Sequence, residues 1–184
     1  MTLYLFVFFA ASALLLVIAP RLIGFRSQKP TDFSDVGPCF DPRTHLNGPI
    51  LCEGVIYGPF GRVASRFVAE MDGEWIGNRG VLRERFRYDA GAVQNREWRL
   101  TIGNDGGLRA EADDVLGVGI GAIEGPAVQM LYDLRLPAES GGHVVRVTDW
   151  MYLTENGTIM NRSQFHKFGI KVAELVATLR RVPA

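Results

Sequence analysis

The feature that most constrains the fold is the stretch from His143 to Gly169, two strand-like segments joined by Asn156-Gly157. This dipeptide is a strong signal for a two-residue hairpin loop in which both residues take positive φ. Such a loop fixes the register and places Asp149 opposite Gln164. Neither face of the ribbon is purely apolar, so we expect each face to contact protein along part of its length. A strand pair of this kind suits a closed barrel.

The rest of the chain from residue 50 to residue 163 is a series of strand-like segments separated by turn residues. Asp72-Gly73 is interpreted as another hairpin turn, and Val81 to Tyr88 alternates strictly between two faces. The last segment, Phe168 to Val182, fits an amphipathic helix or a strand, and we favour the strand because it would close the barrel and remove both sheet edges. Short strands at this spacing predict an all-β antiparallel fold, either a sandwich or an up-and-down barrel.

The N-terminal residues 1–20 contain no charged side chain, and Leu3 to Ala19 is almost continuously apolar. This length is sufficient for a short transmembrane helix. A cleaved signal peptide is the alternative, but the basic segment that should open it is missing. We therefore predict a transmembrane anchor at residues 1–20, a neck or linker at 21–49, and a β-barrel domain at 50–184. Basic residues follow the anchor and none precedes it, so the positive-inside rule places the domain in the cytoplasm.

Charge and cysteine content limit the function classes. Lys+Arg and Asp+Glu both number 20, so no net field favours nucleic acid as a partner. Cys39 and Cys52 flank the end of the neck, and a disulfide between them would contribute about 3 kcal/mol. Two free thiols are an equally good interpretation. The three His residues share no ligand spacing, and we predict neither a metal site nor a cofactor.

Several polar or glycine-rich stretches are candidate sites. The glycines from Gly117 to Gly121 fail the dinucleotide-binding pattern and favour a sharply bent strand. Asp113 and Asp114 favour ion pairs with a neighbouring arginine-rich strand over acid–base catalysis. Asp149 and Arg162 are diagonal neighbours in the predicted hairpin, so they either fix its register or hold a ligand head group. No nucleophile–base constellation is found, so no catalytic residue is predicted and an enzymatic role stays open.

A set of motifs in fixed order resembles the bacterial family called domain of unknown function 3833, over roughly residues 40 to 182. The motifs are Trp98-Arg99, Ala112-Asp113-Asp114-Val115-x-Gly117, Tyr132-x-Leu134-x-Leu136, Asp149-Trp150-Met151-Tyr152-Leu153, Asn161-Arg162 and Lys167-Phe168-Gly169. The resemblance implies a calycin-like (lipocalin-like) barrel in an envelope protein, and it implies no activity. Many members carry a lipoprotein signal, whereas this chain has an apolar anchor without a lipidation Cys.

Together these observations predict an antiparallel up-and-down, calycin/lipocalin-like barrel preceded by one transmembrane helix. The apolar segment predicts anchoring in a bacterial inner membrane, and we favour the periplasmic domain that the resemblance implies over the cytoplasmic one. The function hypothesis is binding of an apolar or amphipathic small molecule, for example a lipid. The alternative is a structural or interaction module of the cell envelope with a packed interior. The candidate ligand-binding residues are Trp98, Tyr132, Asp149, Trp150, Tyr152 and Arg162.

Overall fold

The computed structural model describes residues 4–9, 12 and 22–182 of the 184-residue chain. Ten antiparallel strands form the body of the molecule. They are β1 (Gly48–Tyr57), β2 (Val63–Ile76), β3 (Arg79–Tyr88), β4 (Val93–Ile102), β5 (Gly107–Glu111), β6 (Val115–Glu124), β7 (Ala127–Arg135), β8 (Val144–Leu153), β9 (Ile159–Lys167) and β10 (Ile170–Arg181). Short helical turns lie at Phe25–Ser27, Pro30–Phe33, Pro42–His45 and Ala138–Ser140.

The strands form a closed up-and-down barrel in which each strand pairs with its neighbours in sequence and β1 pairs with β10. Ile50 lies opposite Arg181 and Tyr57 lies opposite Glu174 in this closing ladder. The predicted all-β barrel is confirmed, and so is the prediction that the last segment is a strand. Closure removes both sheet edges, which would otherwise be open to pairing with other chains.

One end of the barrel is closed by the chain that leads into β1. The helix Pro42–His45 and the following Leu46 are packed there, with Pro42, Leu46 and the preceding Phe40 buried. The indole of Trp75 donates a hydrogen bond of 3.0 Å to the carbonyl oxygen of Leu46. Gly73 permits this close approach, because a Cβ atom at that position would lie 1.9 Å from the same carbonyl oxygen. We call this the closed end.

The neck packs against the outer face of β8 and β9. Phe33 lies with its ring centroid 5.6 Å from the rings of both Trp150 and Tyr152, and the Tyr152 hydroxyl donates a 2.9 Å hydrogen bond to Gln28. Trp150 is fully buried beneath this cover. The expectation that both faces of the hairpin contact protein is therefore confirmed.

The predicted register of the hairpin from His143 to Gly169 is wrong by one residue. Asp149 pairs with Ser163 rather than Gln164, because Glu155 joins Asn156 and Gly157 in a three-residue loop. Only Gly157 takes a positive φ there, at 81°, which is typical of a type I turn followed by a glycine bulge. The β4–β5 hairpin also has a three-residue loop, because Gly103 bonds to Gly107, and this loop places Arg99, not Trp98, opposite Glu111.

The interpretation of Asp72-Gly73 as a hairpin turn is also wrong. Strand β2 runs through both residues and turns only at Gly77, whose φ is 58°. Gly73 is needed for the close contact with Leu46 instead of for a turn. The glycine-rich stretch behaves as predicted, because the register of β6 shifts between Leu116 and Ile120, and Gly117 takes a φ of 73°.

The predicted anchor falls on residues 1–20, most of which lie outside the described residues. Within the described part of the chain, no helix combines the length and apolar character that a membrane span requires.

Candidate functional site

The barrel encloses a cavity of about 810 Å³. Its walls are mainly apolar, with Phe67, Leu82, Trp98 and Met130 among the lining side chains. It extends past Phe165 to the rim residues Ala90 and Pro137, at the end opposite the helix Pro42–His45. We call this the open end. A cavity of this volume falls in the range of small-molecule sites.

Glu84 is the most unusual residue of the cavity wall. Its neighbours along the inner face of β3, Leu82 and Phe86, are apolar, and alternation directs Glu84 inward with them. Its carboxyl group is buried, and it has no hydrogen-bond partner among the described residues. Burial raises its pKa to about 7, although the nearby Arg96 charge lowers it and Asp149 raises it further. Glu84 therefore changes charge near neutral pH.

Asp149 is a second buried carboxyl group at the cavity. One of its oxygens accepts hydrogen bonds of 2.6 Å from both Ser163 and Asn161, which follow each other on the inner face of β9. Burial raises the pKa of Asp149, and these two hydrogen bonds oppose the shift. The cavity thus contains two carboxyl groups that both resist ionisation.

Arg96 places a positive charge beside the two carboxyl groups of the cavity. Its guanidinium carbon lies 4.1 Å from the ring centroid of Trp98 and 5.8 Å from that of Tyr132. Its Nε donates a 3.0 Å hydrogen bond to Asp114, while one terminal nitrogen is buried without a partner. The two aromatic rings meet edge to face at 5.2 Å. Arg96 is therefore held by an ion pair on one side and by aromatic rings on the other.

The barrel wall has a gap beside Arg96. Strand β5 is short and pairs with β4 only from Arg99 to Ile102. Residues 93–98 of β4, towards the open end, therefore have no strand beside them on the β5 side. Two ion pairs bridge this gap, Arg96 to Asp114 and Arg99 to Asp113. The acidic stretch forms ion pairs as predicted, but its partners lie on β4, not on β3.

The six sequence-predicted ligand residues fall into two groups. Trp98, Tyr132 and Asp149 line the cavity, whereas Trp150, Tyr152 and Arg162 lie on the outer face of the barrel beneath or beside the neck. The predicted pairing of Asp149 with Arg162 is wrong, because the one-residue register change directs Arg162 outward. There it forms a 2.5 Å ion pair with Glu174 and stacks over Phe25 at 4.6 Å.

The cysteine and histidine residues are dispersed. Both thiols are free in the structure, with Cys39 exposed and Cys52 buried in the cavity wall. Burial raises the pKa of the Cys52 thiol to about 12, so it stays protonated and unreactive. No group of three or more His, Cys, Asp or Glu side chains in the described ranges could hold a metal ion.

Sequence reasoning did not select Glu84 or Arg96, although a signal was available for both. Glu84 was placed by alternation on the face of β3 that also carries Leu82 and Phe86. Arg96 has the same parity along β4 as the apolar Trp98 and Leu100. A single charged residue in an apolar face is the pattern that indicates a charge in a barrel interior.

The fold and the cavity together define a closed up-and-down barrel with an interior site. The chain belongs to the family described as "Protein of unknown function (DUF3833)", whose family model matches residues 19–181. The resemblance inferred from the motifs is thus confirmed.

Two solved structures are similar in fold. One is Rv2717c from M. tuberculosis, with a TM-score of 0.56 and 15% sequence identity, covering 81% of this chain and 100% of that one. The other is the S-type phycobiliprotein lyase CPES from Guillardia theta, with a TM-score of 0.56 and 8% identity, covering 76% of this chain and 90% of that one. At these identities the likeness concerns the fold alone. No curated protein matches the sequence.

Proposed function

We propose that the barrel binds one amphipathic small molecule, whose apolar body fills the cavity and whose polar end donates hydrogen bonds to Glu84 and Asp149. The observation that carries this proposal is a buried carboxyl group, Glu84, without a hydrogen-bond partner in an apolar cavity of about 810 Å³. A carboxyl group in a largely apolar cavity destabilises the fold once it ionises, because burial disfavours its charged form. Stability alone would favour an apolar side chain at this position.

The charges of the cavity favour an amine or another hydrogen-bond donor over a carboxylate. Two arginines line the cavity, Arg96 and Arg135. Arg135 is exposed to solvent, and Asp114 already neutralises Arg96. Glu84 and Asp149 therefore leave the site acidic once Glu84 ionises. An alkylamine would pair with these groups, whereas a fatty acid would place a third carboxylate beside them. A lipid with an amine head group is one ligand of this class.

The cavity also weighs against the alternative hypothesis of an envelope module with a packed interior. Close-packed protein interiors contain few voids larger than a water molecule. A barrel that served only as a rigid spacer would gain stability by filling this volume with larger side chains.

The test is titration of the full-length protein with dodecylamine and, separately, with dodecanoic acid, which has the same chain length. Binding is followed by native mass spectrometry and calorimetry. We expect dodecylamine to bind more tightly, and Glu84→Gln to weaken dodecylamine about tenfold or more, the effect of about 1.4 kcal/mol. The matched control is Glu97→Gln, which changes an exposed carboxylate of β4. Equal affinity for the two probes, or no binding of either, would remove the proposal.

The membrane anchor at residues 1–20 is part of the same proposal. An uncharged apolar segment supports it, and so does the need of an amphipathic ligand for a nearby lipid phase. The envelope location that the family resemblance implies supports an inner-membrane protein with a periplasmic domain. An alkaline phosphatase fusion at the C-terminus should be active, and the protein should stay in the membrane after carbonate washing. A fusion that is inactive while a fluorescent-protein fusion is bright would place the domain in the cytoplasm.

A further inference from the structure

The neck runs along the outside of the barrel from the closed end towards the open end. At the closed end, the backbone N–H of Phe40 donates a 2.8 Å hydrogen bond to Gly125, in the β6–β7 turn. Further towards the N-terminus, Gln28 contacts Tyr152, and Phe25 lies under Arg162 in the middle of β9. Strand β9 runs from the closed end at Ile159 to the open end at Lys167. The neck thus advances towards the open end as it is followed back to the N-terminus.

The first residues of the neck lie near the open end. The positive charge of Arg26 is close enough to His166, the penultimate residue of β9, to oppose its protonation and contribute to lowering its pKa, after the larger effect of burial. Leu22 and Ile23, which precede this contact, are both exposed. The continuously described part of the chain, which begins at Leu22, therefore starts on the side of the open end, and the uncharged apolar residues 1–20 precede it in sequence.

The same part of the rim carries exposed apolar side chains. Phe60, in the β1–β2 loop, is 95% exposed, and Phe168, in the β9–β10 turn, is 93% exposed. Ile170 follows the same turn and is also exposed. Strand β10 lies between β9 and β1, so these two loops are neighbours on the rim. We call Phe60, Phe168 and Ile170 the rim patch.

Phe168 is held in an unfavourable backbone conformation. It is the one non-glycine residue with positive φ in the described part of the chain, at 51°. Bulky residues rarely adopt this conformation, and strain of this kind is typical of functional positions. Basic side chains flank the rim patch, because Arg62 follows Phe60 by two residues and Lys167 precedes Phe168. Aromatic side chains next to basic ones are typical of segments that enter a membrane interface.

We infer that the open end of the barrel faces a lipid bilayer, with the rim patch inserted among the head groups beside the N-terminal apolar segment. The cavity then opens directly onto the lipid phase, and an amphipathic ligand passes between bilayer and barrel without crossing water. The inference extends the proposed ligand binding, and it rests on the path of the neck and on the rim patch, which are independent of ligand identity.

The test measures the depth of single positions in the membrane. Full-length protein with Cys39→Ser is given one additional cysteine, by Phe60→Cys, Phe168→Cys or Ile76→Cys, and is labelled with bimane. Cys52 stays in place because it is buried. Ile76 is the matched control, since it is 88% exposed at the β2–β3 turn, which lies at the closed end. The proteins are reconstituted in vesicles of phosphatidylcholine and phosphatidylglycerol that contain brominated acyl chains.

We expect brominated lipid to quench the labels at positions 60 and 168 and to leave the label at position 76 unquenched. Equal quenching at all three positions, stronger quenching at 76, or none at any position would overturn the inference, as would a protein that does not associate with the vesicles. Shielding of positions 60 and 168 without quenching, accompanied by a dimer in mass measurements, would assign the rim patch to a second copy of the chain.

A second variant tests the role of the rim patch in ligand transfer. Phe60→Ser with Phe168→Ser should slow transfer of dodecylamine from vesicles to the barrel by roughly tenfold or more, since burying one phenylalanine side chain corresponds to about that factor in an equilibrium. Both side chains are exposed, so the fold should survive, which circular dichroism checks. The affinity of the same variant for dodecylamine in vesicle-free solution should be unchanged. An unchanged transfer rate would count against the inference and leave the binding proposal standing.

Discussion

Glu84 on β3 and Arg96 on β4 are direct partners in the ladder, and both line the barrel cavity, yet they form no salt bridge. Arg96 is paired with Asp114 across the gap in the wall, 3.0 Å away. The Glu84 carboxyl group is thus close enough to feel the arginine charge but not bonded to it. This separation leaves Glu84 free for a ligand, and burial raises the pKa of Glu84 to about 7.

The first prediction concerns the pH dependence of stability. In the unfolded chain Glu84 ionises near its ordinary pKa of 4.5, and in the folded barrel near 7. Between these values the folded state holds a proton that the unfolded state has lost. The contribution of this proton to the free energy of unfolding is therefore fully present below pH 4.5 and is lost as pH rises through 7. The loss is about 3 kcal/mol, from 1.36 kcal/mol per unit of pKa shift.

Glu84→Gln should remove this dependence and raise the free energy of unfolding at pH 8, as measured by urea denaturation across the pH range. Glu97→Gln, whose carboxylate is exposed, should keep the wild-type profile. A Glu84→Gln profile parallel to the wild type would show that Glu84 ionises normally.

The second prediction concerns Arg96. Its charge lowers the pKa of Glu84, so Arg96→Met should raise that pKa above 7 and shift the associated loss of stability to higher pH. The Glu84 carboxyl signal in carbon NMR reports the titration directly. Arg99→Met is the control, because Arg99 forms an ion pair with Asp113 on the outer surface. A lower Glu84 pKa in Arg96→Met would contradict the assigned interaction.

The third prediction concerns the cover of the neck over Trp150. Phe33→Ala should lower the free energy of unfolding by about 1–3 kcal/mol, because Phe33 is partly buried against Trp150 and Tyr152. Tryptophan fluorescence should shift to longer wavelength as water reaches Trp150. Phe60→Ala, which changes an exposed ring, should have neither effect in solution. Unchanged fluorescence in Phe33→Ala would mean that the neck does not shield Trp150.

The fourth prediction concerns the closed end. Gly73→Ala should destabilise the barrel by about 1–3 kcal/mol, since its Cβ would lie 1.9 Å from the Leu46 carbonyl oxygen and force the chain around the helix Pro42–His45 outward. Gly58→Ala is the control, because the nearest atom to its Cβ would be 3.8 Å away. Thermal unfolding of both variants gives the comparison, and equal midpoints would show that the closed end adapts without cost.

Local sequence signals were sufficient for the fold but not for every register. Alternation in β3 assigned its two faces correctly, and the need to close the barrel correctly favoured a strand for residues 168 to 182. The Asn156-Gly157 dipeptide located the turn, yet the same dipeptide fits a two-residue loop or the end of a three-residue loop. A change of one residue reverses the face of every side chain that follows, which is why Arg162 was placed inside.

The sequence predicts a neck at residues 21–49, but not the place where the neck packs on the barrel, because this contact joins residues distant in sequence. The bond between Gln28 and Tyr152 spans 124 residues, and no periodicity in either segment encodes it. The hydrophobic character of Trp150 and Tyr152 was visible, and it was assigned to a ligand site because nothing in the sequence indicated that Phe33 would cover them.

The gap between β4 and the β5–β6 turn has a mechanical consequence. Elsewhere in the barrel, separating two strands breaks a ladder of backbone hydrogen bonds, whereas here the wall is joined by the side chains of Arg96 and Asp114 and of Arg99 and Asp113. Side-chain ion pairs can lengthen or exchange for water contacts at much lower cost than a backbone ladder, and salt weakens them. The barrel can therefore widen at this gap to hold a bulky ligand, while the strand pairing that closes the barrel stays intact.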